Sequence, residues 1–187
     1  MRIAILGGSF DPPHFGHLLV ARQTREIIGL DEVWLMPYFA HSWDPVVSPV
    51  ADRLAMARLI AEPGLAVCDL ESSRRGKSYT IDSVRELKAR YPHEFFWIIG
   101  SDVLPEFSRW KDAALLTKEV AFLVFPRNGY PIPGVLPPGF TGVGSGDLVT
   151  SNLSSTIVRN RLIKGLSVVG LIPEAVIDYL EKHKLYR

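Results

Sequence analysis

The stretch RIAILGGSFDPPHFGH, residues 2–17, decides the fold, because a short apolar run leads through two glycines and two prolines into a pair of histidines. The run is too short for a helix and is typical of a buried strand. Gly7 and Gly8 predict a sharp turn after that strand, where a ligand can approach the backbone without meeting a Cβ. His14 and His17, three positions apart, lie on one face of the next predicted helix. The stretch therefore predicts a strand, a ligand-binding turn and a helix.

Composition indicates a globular protein and limits its partners. The 187 residues are 47% hydrophobic and 22% charged, which is enough apolar material for a substantial core. Lys and Arg number 21 against 20 Asp and Glu, so the net charge of +1 would not draw the chain onto nucleic acid or lipid. Cys68 is the single cysteine, which excludes an internal disulfide. We expect a cytoplasmic protein with no nucleic-acid or membrane partner, and a homo-oligomer is compatible with the sequence.

Strand-like and helix-like segments alternate along the chain. Five short runs rich in β-branched or aromatic residues are typical of buried strands: residues 2–6, 32–36, 65–70, 94–100 and 120–125. Helical patterns occur at residues 16–28, 49–61, 80–90, 154–164 and 173–183. Ser48 and Pro49 are predicted as N-cap and first-turn residue of the second helix. The alternation predicts an α/β, Rossmann-like open sheet, mostly parallel, with helices on both faces and ligands at the carboxyl ends of its strands.

The last third of the sequence differs in character from the rest. Residues 126–147 are so rich in proline and glycine that we expect a long surface loop with little regular structure. Residues 154–187 are predicted as a small helical segment at the C-terminus. The length of 187 residues is within the range of one domain, and no internal repeat or low-complexity tract is present, so we expect one domain over residues 1–187.

The helix start that carries the two histidines is suited to phosphate. The first N–H groups of a helix have no acceptor within it, and that end of the helix dipole is positive. Gly16 keeps the surface between the imidazoles low. A metal site is disfavoured, because no Cys, Asp or Glu lies at ligand spacing on that helix to complete a coordination shell. We therefore interpret His14 and His17 as phosphate ligands rather than as a cap and a core residue.

Two motifs resemble those of the nucleotidyltransferase superfamily that carries a His-x-Gly-His motif. The first is Gly7-Gly8-Ser9-Phe10-Asp11-Pro12 with His14-x-Gly16-His17, and the second is Ser154-Ser155-Thr156-x-x-Arg159. Further segments are similar in order and spacing to bacterial nicotinate-mononucleotide (nicotinate-nucleotide) adenylyltransferases: GKSYTIDSV (76–84), GSDVLPEFSRW (100–110), FPRNGY (125–130) and GLIPEAVIDYLEKHKLY (170–186). The resemblance covers nearly the whole chain and implies a single nucleotidyltransferase domain.

The resemblance implies transfer of the adenylyl group of ATP to nicotinate mononucleotide, giving nicotinate adenine dinucleotide and pyrophosphate in NAD biosynthesis. It implies that His17 donates to the α-phosphate, that His14 steadies the ATP phosphates and that Arg159 clamps them. The implied ATP contacts are Gly8, Ser9, Phe10, His14, His17, Gly100, Asp102, Ser154, Ser155, Thr156 and Arg159. The implied nicotinate nucleotide contacts are Tyr79, Thr80, Trp110 and Arg127. Mg²⁺ is expected to arrive with ATP, held mainly by phosphates and water, and no protein metal site is implied.

The loop after the second strand departs from the family's pattern. The family commonly has a Lys or Arg there, whereas PYFAHSWDPVVSP at 37–49 has neither, so His41, Arg74 or Arg75 is a candidate replacement. Two alternatives stay open: nicotinamide mononucleotide or another phosphate acceptor as substrate, and a non-catalytic nucleotide sensor. An aminoacyl-tRNA synthetase fragment is disfavoured, because the chain has no added tRNA-binding region or basic face.

Overall fold

A parallel sheet organises the chain in the computed structural model, which describes residues 1–40, 48–74, 76–144 and 146–187. The described residues form the strands β1 (Arg2–Gly8), β2 (Glu32–Pro37), β3 (Leu65–Val67), β4 (Glu94–Gly100), β5 (Ala121–Phe125) and β6 (Phe140–Gly142). The strands are ordered β3-β2-β1-β4-β5-β6, and every neighbouring pair is parallel. Strand order reverses between β1 and β4, which opens a crevice at their carboxyl ends. The predicted Rossmann-like open sheet is confirmed.

Helices connect the strands and complete the C-terminal part. The described residues form α1 (Phe15–Ile28), α2 (Val50–Leu59), α3 (Leu70–Ser73), α4 (Thr80–Arg90), α5 (Ala113–Glu119), α6 (Ser155–Ile163) and α7 (Glu174–His183). A 3₁₀ helix, Ser101–Arg109, follows β4 directly and was not predicted, because the pattern there is short and holds Pro105. Within the described parts of the chain, no helix is both long and apolar enough to cross a membrane.

Both faces of the sheet are covered by helices. Successive side chains of β1 point alternately into two core clusters, one on each face. Ile5 belongs to the buried cluster that includes Val84 of α4. Ala4, its neighbour, belongs to the opposite cluster with Leu18 of α1 and Val176 of α7. Strands buried on both sides have nearly continuous apolar sequences, which is why their positions are legible from composition alone.

The turn after β1 falls later than the sequence predicts. Gly7 and Gly8 still pair in parallel register with Met36 and Pro37, and neither has a positive φ. The chain turns at Phe10, where φ is 50°. The absence of a side chain still matters, because a Cβ on Gly8 would lie 3.3 Å from the Phe10 ring. The prediction of a glycine turn is therefore wrong, and close packing accounts for Gly8 instead.

Two strands differ from the predicted pattern. β3 ends at Val67 and is therefore shorter than the predicted strand 65–70. The last hydrogen bond to β2 is the one that the Cys68 N–H donates to the Leu35 carbonyl at 2.8 Å, and α3 begins two residues later. β6 lies within the proline- and glycine-rich stretch 126–147, where three residues are too few to give a periodic pattern. The other described residues of that stretch form no further helix or strand, as expected.

Ser48 does not cap α2. Pro49 occupies the N-cap position, and its carbonyl accepts the N–H groups of Asp52 at 3.1 Å and Arg53 at 3.2 Å. The Ser48 hydroxyl donates instead to the side chain of Asp11, which is fully buried. The predicted cap is wrong because a buried carboxyl group from a distant part of the chain takes the hydroxyl.

Candidate active site

Two cavities adjoin at the carboxyl ends of β1 and β4. The histidine cavity, of about 390 Å³, is bounded by His14, His17 and the start of α6. The tryptophan cavity, of about 350 Å³, is bounded by Trp110 and Thr80. Gly8 lines both of them, so they meet over the crevice between the two strands. This is the position at which open α/β sheets bind ligands.

The two imidazoles of the histidine cavity lie against each other. Their ring centroids are 3.8 Å apart in a stacked arrangement. The backbone N–H of His14 donates to Nδ1 of His17 at 3.1 Å. Because that nitrogen accepts, a neutral His17 carries its proton on Nε2 and can donate it to a ligand. Gly16 allows this packing, since a Cβ there would lie 2.8 Å from Nδ1 of His14.

Both imidazoles are neutral near pH 7. Burial, and then the positive charge of Arg127, lowers the pKa of His14 from 6.5 to about 3. Burial, followed by the proximity of His14 and Arg127, holds the pKa of His17 well below its usual value. The histidines therefore offer hydrogen bonds rather than charge, and the positive charge in this cavity comes from arginines.

The start of α6 faces the histidines across the cavity. Ser154 is its N-cap, and its hydroxyl accepts the N–H of Ile157 at 3.3 Å. Ser155 and Thr156 line the cavity in the first turn, where N–H groups point away from the helix. The Ser155 hydroxyl donates to the Pro12 carbonyl at 2.8 Å and so fixes this helix start against the turn after β1.

Two arginines from different parts of the chain line the histidine cavity. Arg159 donates from Nη1 to the Asp11 carbonyl at 2.7 Å and from Nη2 to the Thr156 hydroxyl at 3.2 Å. Arg127 lies 3.9 Å from Asp102, measured from Nε to Oδ1, and lines the same cavity. Arg127 is predicted from the sequence to contact the nicotinate nucleotide, whereas in the structure it lines the histidine cavity.

The predicted ATP contacts are brought together with one exception. Those that line the histidine cavity are Gly8, Ser9, His14, His17, Gly100, Asp102, Ser154, Ser155, Thr156 and Arg159. Phe10 is fully buried, with its ring centroid 4.7 Å from that of His17. Its side chain supports the histidine from behind and does not line the cavity.

The tryptophan cavity holds two of the four residues predicted for the nicotinate nucleotide. Trp110 and Thr80 line it, and Thr80 is the first residue of α4. Tyr79 is the N-cap of that helix, but its exposed ring lies outside the lining, beneath the ammonium of Lys111 at 4.8 Å. Glu71, which the sequence analysis missed, is buried in the lining and accepts from the Ser83 hydroxyl at 2.6 Å. Burial raises the pKa of Glu71.

Arg53 is a second residue that the sequence analysis missed. It is fully buried in α2 and donates from Nη1 to the Ser9 carbonyl at 2.9 Å. Nη2 donates to the Phe39 carbonyl at 2.9 Å, and Nε donates to the Ser48 carbonyl at 3.3 Å. The guanidinium therefore connects three loop segments beside the site. The sequence does not predict this role, because a single arginine within a helical pattern is typical of an exposed side chain.

None of the three candidate replacements for the family's basic loop residue is placed in the histidine cavity by the described part of the structure. His41 and Arg75 lie outside the described residues. Arg74 pairs with Glu86 at 2.6 Å and donates to the Ser83 hydroxyl at 3.3 Å, and it does not line the histidine cavity. The cations that the structure places in that cavity are Arg127 and Arg159.

We expect His14 to make the fold less stable in acid. Its pKa in the folded chain is about 3, so below pH 6.5 the unfolded chain takes up a proton that the folded chain does not. The free energy of unfolding therefore falls as pH is lowered from 6.5 towards 3. Between pH 7 and pH 5 the wild type should lose about 2 kcal/mol more than His14→Asn. Urea denaturation at both pH values measures this difference. Equal losses of unfolding free energy in the wild type and in His14→Asn would refute the lowered pKa of His14.

The site and the fold together define a nucleotide-binding α/β protein, and comparison with known proteins narrows this class. Residues 5–161 match the cytidylyltransferase-like family. A protein of Shouchella clausii named "Probable nicotinate-nucleotide adenylyltransferase" is 40% identical over 190 residues, covering 99% of this chain and 96% of the relative. A protein of the same name from Exiguobacterium sibiricum is 39% identical over 191 residues, covering 100% and 99%.

A solved structure has the same fold. It is the Plasmodium falciparum nicotinic acid mononucleotide adenylyltransferase complexed with NaAD, with a TM-score of 0.83 and 23% identity over 99% of this chain and 97% of that one. The chain belongs to the cytidylyltransferase-like family and, within it, to the nicotinate-nucleotide adenylyltransferases. The predicted family is confirmed.

Proposed function

We propose that the chain transfers the adenylyl group of ATP to nicotinate mononucleotide, giving nicotinate adenine dinucleotide and pyrophosphate. The observation that carries this proposal is the pair of cavities that meet at Gly8 and Gly100, one lined by phosphate-binding groups and the other by an aromatic ring and a helix start. A dinucleotide has two such halves joined by phosphates. The names of the relatives support the same reaction.

In this proposal the ATP phosphates occupy the histidine cavity. A phosphate oxygen of the acceptor attacks the α-phosphorus of ATP, the bond from that phosphorus to the oxygen bridging to the β-phosphorus breaks, and pyrophosphate leaves. No protein nucleophile is needed, so catalysis rests on positioning and on neutralising charge. His17 donates from Nε2 to the α-phosphate, as its Nδ1 accepts from the backbone. His14 steadies the chain of phosphates beside it.

Charge for the phosphates comes from two sides in this proposal. Arg159 and the first turn of α6 hold one side of the phosphate chain, and Arg127 holds the other. Arg127 would thus supply the positive charge that the loop 37–49 lacks by comparison with the family.

A divalent metal accompanies ATP in reactions of this kind, and we propose Mg²⁺. Among the described residues no group of three or more His, Cys, Asp or Glu side chains could hold a metal ion, and the proposal places the ion mainly on phosphate oxygens and water. The carboxylate of Asp102, which lines the histidine cavity, would accept hydrogen bonds from water molecules bound to the ion. When bound, such an ion would neutralise charge on the leaving pyrophosphate.

The nicotinate ring is proposed to occupy the tryptophan cavity. Trp110 offers a ring face for stacking, and the start of α4 at Thr80 offers N–H groups to the carboxylate of the nicotinate. The helix lends those donors a partial positive charge. An amide in the same place would turn its NH₂ group towards donors.

The acid should therefore be preferred over the amide. We expect kcat/KM for nicotinate mononucleotide to exceed that for nicotinamide mononucleotide by about tenfold or more, because the NH₂ group of the amide would leave N–H donors of the cavity unpaired. Steady-state rates with each acceptor, with the dinucleotide resolved by chromatography, test both the reaction and this preference. Equal values, or a preference for the amide, would refute the role given to the start of α4. Binding of both substrates without any product would favour a sensor.

A further inference from the structure

Three polar side chains from distant parts of the sequence meet in the interior next to the histidine cavity. Asp11 follows β1, Ser48 precedes α2, and Tyr186 lies beyond α7. All three are buried, with exposed fractions of 0%, 6% and 9% respectively. We call this group the Asp11 cluster. None of its members is assigned to either substrate above.

The Asp11 carboxyl group is the centre of the cluster. The hydroxyl groups of Tyr186 and Ser48 both donate to Oδ1 of Asp11. The Ser48 backbone N–H approaches the two carboxyl oxygens at 3.3 and 3.4 Å, and the two hydroxyl oxygens are 3.1 Å apart. Burial and the adjacent Asp11 carboxyl group raise the pKa of Tyr186, so its hydroxyl keeps its proton and remains a donor.

The end of the chain is shaped to bring Tyr186 to this place. α7 ends at His183, and Lys184 adopts a left-handed conformation with φ of 54°. The Leu185 N–H then donates to the Leu180 carbonyl at 3.1 Å, so the chain folds back along its own helix. Tyr186, with φ of 59°, is itself left-handed. A tyrosine held in such a conformation requires compensating contacts, and the Asp11 cluster supplies them.

Asp11 connects this cluster to the reacting groups. Its side chain belongs to the cluster, while its backbone carbonyl accepts from Nη1 of Arg159 at 2.7 Å. The preceding residue, Phe10, packs against the ring of His17. His14 follows three positions later and donates its backbone N–H to His17. A shift of Asp11 would therefore move both the arginine and the histidine that face the α-phosphate.

We propose that Tyr186 is a positioning residue for adenylyl transfer, which acts through Asp11 to hold the turn that supports His17 and Arg159. Tyr186 touches neither substrate in this account. Its hydroxyl fixes a buried acceptor whose displacement would leave polar groups unpaired, so the turn has one well-defined position. Small displacements of positioning groups lower rates strongly because the reacting atoms leave their aligned geometry.

The test compares Tyr186→Phe with Tyr179→Phe. Tyr179 lies on α7 and donates its hydroxyl to Asp52 at 2.8 Å, so its variant removes the same kind of bond from the same part of the chain without touching the Asp11 cluster. We expect Tyr186→Phe to lower kcat by about tenfold while KM for nicotinate mononucleotide stays within about twofold. Tyr179→Phe should keep the wild-type kcat. Assays run well below both melting temperatures.

The kinetic comparison rests on the proposed function, so we add a second readout that requires no substrate. The ¹⁵N resonance of Nδ1 of His17 reports the bond from the His14 backbone. We expect it to shift in Tyr186→Phe, and in Ser48→Ala, which removes the other hydroxyl donor to Asp11, but not in Tyr179→Phe. A shift in a chain that shows no transfer would overturn the proposed function while leaving the positioning intact.

A double-mutant cycle tests whether Tyr186 acts through Asp11. We expect the effect of Tyr186→Phe on kcat to disappear in the Asp11→Ala background, because alanine removes the acceptor to which the Tyr186 hydroxyl donates. Three results would each overturn the proposal: effects on kcat that add, an unshifted His17 resonance, or equal losses of kcat in the two tyrosine variants.

Discussion

His17→Ala should lower kcat by about 10²–10³-fold, equivalent to roughly 3–4 kcal/mol of transition-state stabilisation, while KM for ATP changes little. The α-phosphate gains negative charge as the acceptor attacks, so a preorganised donor contributes most at that moment. His17 is preorganised because its Nδ1 is held by the His14 backbone and its ring by Phe10. Steady-state kinetics with ATP and nicotinate mononucleotide measures the loss.

His183→Ala is the matched control for this prediction. His183 lies at the end of α7, half exposed, with its Nδ1 3.9 Å from Asp52 and its ring stacked on Tyr179, and it lines neither cavity. We expect its variant to keep the wild-type kcat. Circular dichroism must show that both variants are folded. If folded His17→Ala keeps kcat within about threefold of the wild type, the donor role assigned to this imidazole is wrong.

Arg53→Met should destabilise the fold by about 3 kcal/mol or more. Methionine fills much of the same space, but the carbonyls of Ser9, Phe39 and Ser48 lose the donors they have in the wild type. Buried acceptors without partners are costly, and each of these three lies in a loop segment that borders the site. Urea denaturation measures the loss, which should appear in the midpoint at an unchanged m-value.

Arg58→Met provides the comparison from the same helix. Arg58 is exposed and pairs with Asp69 at 3.6 Å, a surface ion pair that contributes at most about 1 kcal/mol. A loss in Arg53→Met no larger than that in Arg58→Met would contradict the structural role of Arg53. Arg53→Lys should fall between the two, because one ammonium cannot reach three carbonyls in different directions.

The sequence was most informative where structure is local. The strand and helix that flank the histidines are specified by neighbouring residues, and the spacing of His14 and His17 places their rings together, as the stacked geometry confirms. The motif Ser154-Ser155-Thr156-x-x-Arg159 is equally local, since Ser154 caps the helix that carries Arg159. These features need no knowledge of the rest of the fold.

Features that depend on distant residues were not predictable. Asp11 and Tyr186 are 175 positions apart, and no periodicity marks their contact. Ser48 looks like a helix cap in sequence, but a buried carboxyl group from the turn after β1 takes its hydroxyl. The side of the site that Arg127 faces depends on how the 3₁₀ helix and the loop after β5 pack, since the Arg127 backbone N–H donates to the Ser101 hydroxyl oxygen at 2.8 Å.

The most direct test of the proposed reaction traces the oxygen atoms of the acceptor phosphate with an isotopic label. The chain is incubated with Mg²⁺, ATP and nicotinate mononucleotide whose phosphate carries ¹⁸O, and the products are analysed by ³¹P NMR and mass spectrometry. Attack of the acceptor phosphate on the α-phosphorus predicts nicotinate adenine dinucleotide that retains all of the label, with an equal amount of unlabelled pyrophosphate. Label in the pyrophosphate, or saturation with both substrates and no dinucleotide after hours, would contradict adenylyl transfer by this chain.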